Sequence, residues 1–375
     1  MQRNATAVGG ARGSDHLLRR VRPRGPLSAE LADRLTAEPQ PLPDLESLAR
    51  EAVTDGTCTL TDADIQLSLT VLYELHYRSF DDIDDRWEWH PDLMGAAVCL
   101  EAAFEGDLRA LVALRLPADP VAPAGVADAL ADLVTADDSP SLGKHLARHG
   151  TTAQYAELLT HRSMYHLREA DSHTWTIPRL AGPPKAALVE IQADEYGSGR
   201  ADWMHSTLFA VSMRGLGLDD SYGRYLNDVP AITLAWANTM TLFGLHRRLR
   251  GASAGHSAAL EMTSSLPNRR YADGLRRLGF DADTTRFFDE HVEADAVHEQ
   301  IAAHDLAGRL ATAEPRLVED ILFGAAAALA IDGRVAADLL TAWASGGSLL
   351  GSASLPVTTI SANRGDIDLV SSSRG

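Results

Sequence analysis

His291, Asp295 and His298 follow one another as His-x-x-x-Asp-x-x-His, inside a stretch from Thr285 to Ala303 that holds neither glycine nor proline. That stretch reads as a helix. Positions 0, +4 and +7 of an α-helix stack on one face, so the three side chains point the same way. Two imidazoles and a carboxylate on one face suit a transition-metal ion such as iron. Glu195, His205 and Glu261 lie upstream, also on segments with helical patterns.

Those segments belong to a chain that reads as helix almost throughout, so the expected class is all-α. Short helices are expected at Leu27 to Ala37, capped by Ser28, and at Val126 to Val134 and Ser141 to His149. Longer ones are expected at Thr61 to Phe80, with Thr61 as cap, at Pro91 to Leu116 and at Thr151 to Glu169. Lys185 to Gly215 is helical but interrupted at Gly197 and Gly199. Asp228 to Leu249 is strongly apolar and should be buried. Ala258 to Leu266 should stop at Pro267, and Asn268 to Leu278 at Gly279. Two helices, Pro315 to Leu329 and Arg334 to Ala344, close the ordered part, and a short β-like stretch lies at Pro356 to Ile360. The expected organisation is a disordered tail (1–26), an N-terminal helical domain (27–149), a metal-binding domain (150–305), C-terminal helices (306–350) and a flexible tail (351–375).

Composition narrows the function. The 375 residues are 45% hydrophobic, enough for real cores. A formal net charge of -18 disfavours nucleic acid and anionic membranes as partners, since both call for a basic surface. With only Cys58 and Cys99, buried thiols are expected rather than a disulfide, and the chain reads as cytoplasmic. No apolar run reaches transmembrane length.

The ligand-type residues come from separate helices, which is how dimetal carboxylate sites are built in helical bundles. Carboxylates bridge two ions and offset their charge, and imidazoles add nitrogen donors suited to Fe(II). Taken singly, each residue has a plainer reading. Glu261 could pair with Arg248 or Arg250, and Asp289 to Glu299 could be a solvated acidic face. Taken together, the set favours metal.

Three blocks make the chain resemble the haem-oxygenase-like dimetal oxidases, also called iron-containing redox enzymes. They are Asp194-Glu195-Tyr196-Gly197-Ser198-Gly199 with Met204-His205, then Glu261 in Leu-Glu-Met-Thr, then the helix of His291, Asp295 and His298. The resemblance covers roughly 151–303 and is weaker over 72–93. Its spacing is similar to that of the N-oxygenase branch found in streptozotocin biosynthesis. That branch implies one more early glutamate, matched here by Glu169 in His166-Leu-Arg-Glu-Ala-Asp, with Glu190 as the competitor. The chain beyond His298 is mostly helical, so the C-terminal cupin domain of the streptozotocin enzyme, and its rearrangement chemistry, are not expected.

The resemblance implies two Fe(II)/Fe(III) ions, O2 as co-substrate and an external reductant. One iron would take Glu195, His205 and Glu261. The other would take Glu169, His291, Asp295 and His298. Three histidines among carboxylates favour non-haem iron over a porphyrin. The implied reaction is N-oxygenation of an amine, amidine or guanidine nitrogen on a small molecule. Alternatives are oxidation at carbon by the same kind of centre (desaturation, C–C cleavage or oxidative decarboxylation) and a non-catalytic iron-binding protein. Tyr196, Trp203 and Trp236 are either pocket-lining or plain core aromatics. In the N-terminal half, Tyr73, Tyr77, Phe80, Trp87 and Trp89 cluster between two amphipathic patterns, which suggests a homodimer scaffold or an ordinary intramolecular core.

Overall fold

A computed structural model describes residues 21–54, 56–80 and 83–351, apart from the side chains of 293–297. Most of the first tail, the Pro356 to Ile360 stretch and the Asp295 side chain therefore lie outside the described residues. Among the described residues every regular element is a helix, and none is long and apolar enough to cross a membrane. The fold class is all-α.

The N-terminal helices are α1 (Pro26–Arg34), α2 (Leu45–Ala52), α3 (Ala63–Glu74) and α4 (Pro91–Val112). After them come α5 (Val126–Ala136), α6 (Leu142–His149), α7 (Thr152–His166) and the single turn α8 (Asp171–Thr174). Next are α9 (Gly182–Glu195), α10 (His205–Gly215), α11 (Ala231–Leu245), α12 (Arg250–Arg277) and α13 (Ala282–Gln300). A π-helical segment (Ile301–Gly308), α14 (Arg309–Ala313) and α15 (Val318–Ala344) are the last of the described helices.

Local chemistry sets several helix starts. Thr151 and Gln154 form a reciprocal capping box at α7. Asp62, rather than the expected Thr61, caps α3, accepting from the backbone of Asp64 and Ile65. Ser28 is not the cap of α1 either. Pro26 opens that helix, because its fixed φ and missing N–H suit the first helical position. Ser28 instead accepts from the Arg24 backbone N–H.

Three further expectations are corrected. The stop at Pro267 is absent, and α12 runs through it for 28 residues. A proline inside a helix forfeits one backbone hydrogen bond. Here packing holds both halves in line, with Gly143 of α6 seated against the Pro267 backbone. The two expected C-terminal helices are one, α15, because Asp332 and Gly333 continue the helix. The cysteines are not buried: Cys58 is exposed and Cys99 half-buried.

One buried apolar cluster runs from Leu31 of α1 through Leu72 of α3 and Phe104 of α4 to Phe243 of α11 and Phe323 of α15. Tyr73, Phe80 and Trp87 are spent inside it, whereas Trp89 is exposed beside His76. The second cluster joins α5, α9, α12, the π-helical segment and α15. Between α12 and α15, Gly255 lies against the Ile321 carbonyl and Gly324 against the Ala252 carbonyl, each too close for any Cβ. That crossing brings backbone onto backbone and fixes α12, the carrier of Glu261.

Candidate metal centre

Glu195 is the last residue of α9 and His205 the first of α10. Two tight turns between them fold the chain back. Gly197 has φ 65, and a Cβ there would lie 2.6 Å from the Trp203 carbonyl carbon and 2.7 Å from the Met204 nitrogen. Only glycine meets both the left-handed backbone and the close approach. The result sets His205 Nδ1 2.8 Å from Glu195 Oε2. Gly197→Ala should therefore cost about 2–4 kcal/mol, combining backbone strain with overpacking. Urea denaturation measures it, and a loss below about 1 kcal/mol would contradict this account of the turn.

Glu169 stands just past the end of α7. His166 Nδ1 lies 2.7 Å from its Oε1, and the next residue, Ala170, is held at φ 77. A non-glycine residue in that region is strained and persists only when its surroundings impose it. Gln192 donates to the Ala170 carbonyl, and the Ala170 N–H donates to the Tyr165 hydroxyl. Glu190, the competing glutamate, faces solvent.

On α13, His291 and His298 are both buried. The Phe287 carbonyl lies 2.7 Å from His291 Nδ1, so that nitrogen carries the proton and Nε2 presents a lone pair toward Glu169, 3.6 Å away. His298 is held from the other side. Asp194 meets its Nε2 at 3.1 Å, which leaves Nδ1 directed at Glu261, 3.5 Å away. Glu261 does not pair with Arg248 or Arg250, whose carboxylate partners are Glu105 and Glu314.

Two groups result. Glu169, Glu195, His205 and His291 each bring a ligand atom within 4.8 Å of the others, and so do Glu195, Glu261 and His298. Glu195 belongs to both. These groups divide the residues differently from the expected sharing of ligands. His205 sides with Glu169 and His291 rather than with Glu261, and His298 parts from His291. Seven helical residues span about 10 Å of axis, so the two histidines share a face of α13 while their ligand atoms fall in different groups.

The groups fit metal ions. Bonds of about 2.1 Å put opposite ligands of one ion about 4.2 Å apart, close to the spread found here. Glu169 Oε2, Glu195 Oε2, His205 Nδ1 and His298 Nδ1 are buried without a hydrogen-bond partner. The 2.8 Å approach of His205 to Glu195 thus lacks hydrogen-bond alignment, as expected for two atoms facing a common cation. Leaving such groups unsatisfied is costly, and a cation satisfies them together.

The charges reinforce this. Burial works against ionised Glu169, but His166 and His291 outweigh it and hold its carboxyl below the usual range. Burial likewise opposes ionised Glu195, and adjacent His205 outweighs it. Burial would depress His298, yet Glu261 and Asp194 push it up to about 9. Metal-free, the site therefore keeps protons that an incoming cation must displace.

His166, Asp194 and the Phe287 carbonyl orient ligands, a role that the sequence pattern assigns to none of them. His166 three residues before Glu169, and Asp194 next to Glu195, are the signals that could have found them. A cavity of about 290 Å³ opens on Glu169, Glu195, Glu261 and His291, with Trp236, Phe287 and Phe288 also in its wall. Of the three aromatics considered as pocket residues, Trp236 borders it. Tyr196 instead bonds Thr174 and Asp171, and Trp203 carries the Arg200 guanidinium on its face.

Residues 156–333 match the family model of iron-containing redox enzymes. Over that span the chain is similar to the iron-containing redox enzymes. All seven expected ligand positions fall inside it. The chain is also 30% identical, over 138 residues, to the nitrosourea synthase of Streptomyces achromogenes subsp. streptozoticus. That stretch takes in 36% of this chain and 29% of that protein. The buried Glu/His cluster and the description of the matched family fit iron binding.

Proposed function

We propose that this chain is a non-haem diiron oxygenase that N-oxygenates an amine, amidine or guanidine nitrogen of a small molecule. The observation that carries the reading is the pair of donor groups sharing Glu195. Glu169, His205 and His291 would hold one iron, and Glu261 and His298 the other, with Glu195 between them. Asp295, between the two histidines on α13, would supply the remaining carboxylate. Four carboxylates then balance the four positive charges of two Fe(II) ions.

Bound iron supplies O2 activation, and the protein supplies everything around it. His166 and the Phe287 carbonyl keep Glu169 and His291 aimed, and Asp194 does the same for His298. Phe209 and Phe287 pack against the His166 ring, with Phe287 also against His291, and so limit water at this end. In the overall balance, nitrogen gains one oxygen atom. The second oxygen leaves as water, with two protons and two electrons from an external reductant. Similarity to a nitrosourea synthase favours nitrogen over carbon as the atom oxidised. A homodimer and a cytoplasmic location belong to the same reading, and sedimentation checks the first.

Anaerobic Fe(II) titration should saturate near two equivalents per chain. Incubation with labelled O2, reductant and a panel of amines should then give a product carrying one labelled oxygen on nitrogen. Saturation at one equivalent would remove the diiron reading. Label on carbon would keep diiron and remove N-oxygenation.

A further inference from the structure

Glu74, Tyr77 and Arg78, at and just past the end of α3, lie outside the span similar to iron-containing redox enzymes. They nevertheless close on the loop that carries Glu169. That loop, 167–170, joins α7 to α8. Arg78 Nη2 donates to the Leu167 carbonyl at 3.1 Å. Arg168 is buried, and its guanidinium lies over the Tyr77 ring, 4.2 Å from the centroid. Its Nη1 donates to Ser172 Oγ at 2.7 Å and its Nη2 to Thr241 Oγ1 at 3.2 Å. The Tyr77 hydroxyl meets the same two oxygens, at 3.1 and 3.2 Å. Glu74 Oε1 stands 3.5 Å from Arg168 Nε, and the Tyr222 hydroxyl lies 2.7 and 2.8 Å from the two Glu74 oxygens.

A buried ion pair adds little stability over apolar side chains of the same volume, because desolvation offsets the attraction. What it fixes is geometry. Glu74, Tyr77, Ser172 and Thr241 together hold the Arg168 fork, and the next residue is Glu169. Adjacent Cα atoms are about 3.8 Å apart across a rigid peptide, so holding Arg168 holds the base of the Glu169 side chain. The residue after it, Ala170, sits at φ 77, a strained conformation that persists only where neighbours impose it. Tyr165 and Gln192 hold Ala170 itself, while α3 contributes the grip on Leu167 and Arg168. Without that grip the backbone at 170 is free to relax, and the Glu169 carboxylate turns with it.

From this arrangement we propose that the end of α3 is a positioning part of the metal centre: Glu74, Tyr77 and Arg78 hold the 167–170 loop so that Glu169 meets its ion together with His205 and His291. The N-terminal region then completes the centre without giving it a ligand. The proposal rests on the reading of Glu169 as an iron ligand.

The test uses the full chain with Tyr77→Phe and Arg78→Met, singly and together. These keep an aromatic ring beneath Arg168 and touch no residue proposed to bind iron. Anaerobic Fe(II) calorimetry should show two steps in the unaltered chain. In the double variant one step should weaken about 10–100-fold, the scale for residues that orient metal ligands, and the other should stay within about twofold. Glu261→Ala spares the Glu169 group, so the step it leaves is the one the double variant should weaken. In iron-free protein, hydrogen exchange over 167–174 should quicken about tenfold or more while α10 and α13 keep their rates. Tyr77→Phe alone removes one hydroxyl and should shift the same step in the same direction, which covers a failure of the double variant to fold. Unchanged affinities, an equal loss in both steps, or faster exchange throughout the chain would overturn the proposal, the last two showing that α3 only braces the fold. If the unaltered chain binds one iron, the diiron reading falls, and the positioning role is judged by whether that step weakens in both Glu169→Ala and the double variant. Binding of no iron removes both.

Discussion

Glu195→Ala is expected to leave a folded chain that binds almost no iron and shows no oxygen-dependent turnover. Glu261→Ala should still bind about one equivalent. The difference arises because Glu195 stands in both donor groups while Glu261 stands in one. Removing a shared carboxylate takes a negative charge from both ions at once. The fold should survive, because burial and nearby Glu169 offset much of what the ionised Glu195 gains from His205, so that its removal costs the iron-free chain little beyond the His205 contact. Fe(II) titration with circular dichroism on the same samples checks this. A Glu195→Ala chain that still binds two equivalents would remove the shared-ligand assignment.

The second large effect is acid lability of the metal-free chain. His173 is buried against His256, with His173 Nε2 3.2 Å from His256 Nδ1. Burial pushes His173 down to about 4 and His256 well below the ordinary histidine value. A histidine depressed in the folded state binds fewer protons there than when unfolded. Its contribution is thus fully present above about pH 6.5 and is lost as pH falls from there to about 4. For His173 alone this is on the order of 3 kcal/mol. Burial also depresses His161 and His166, which adds in the same direction. Glu169 and Glu195, both held low, extend the loss below the ordinary glutamate range. Urea denaturation of iron-free protein between pH 7.5 and 4 should show the decline, and His173→Gln should flatten it. A stability flat across that window would contradict the buried neutral pair.

Some of this protein is legible without any coordinates. The face of α13 is, because an uninterrupted helix fixes where residues 0, +4 and +7 point whatever surrounds it. The all-α class is legible for the same reason, as period and caps are local. The turn at Gly197 announces a break between Glu195 and His205, although what the break is for does not show. Pro267 misleads because its local cost is outweighed by packing of α12 on α6. Asp332 and Gly333 mislead in the same way within α15.

The sequence by itself determined the residue types of the centre and the helices that carry them. Tertiary structure alone decided which ligands share a group, that Glu195 joins both, that Asp194 and His166 do the aiming, and that Arg78, just past the end of α3, reaches the loop of Glu169. The first kind of information is contained in the geometry of one helix. The second depends on how α7, α9, α12, α13 and α15 converge, and that is set by packing between residues far apart in the chain, such as Gly255 and Gly324 where α12 and α15 cross.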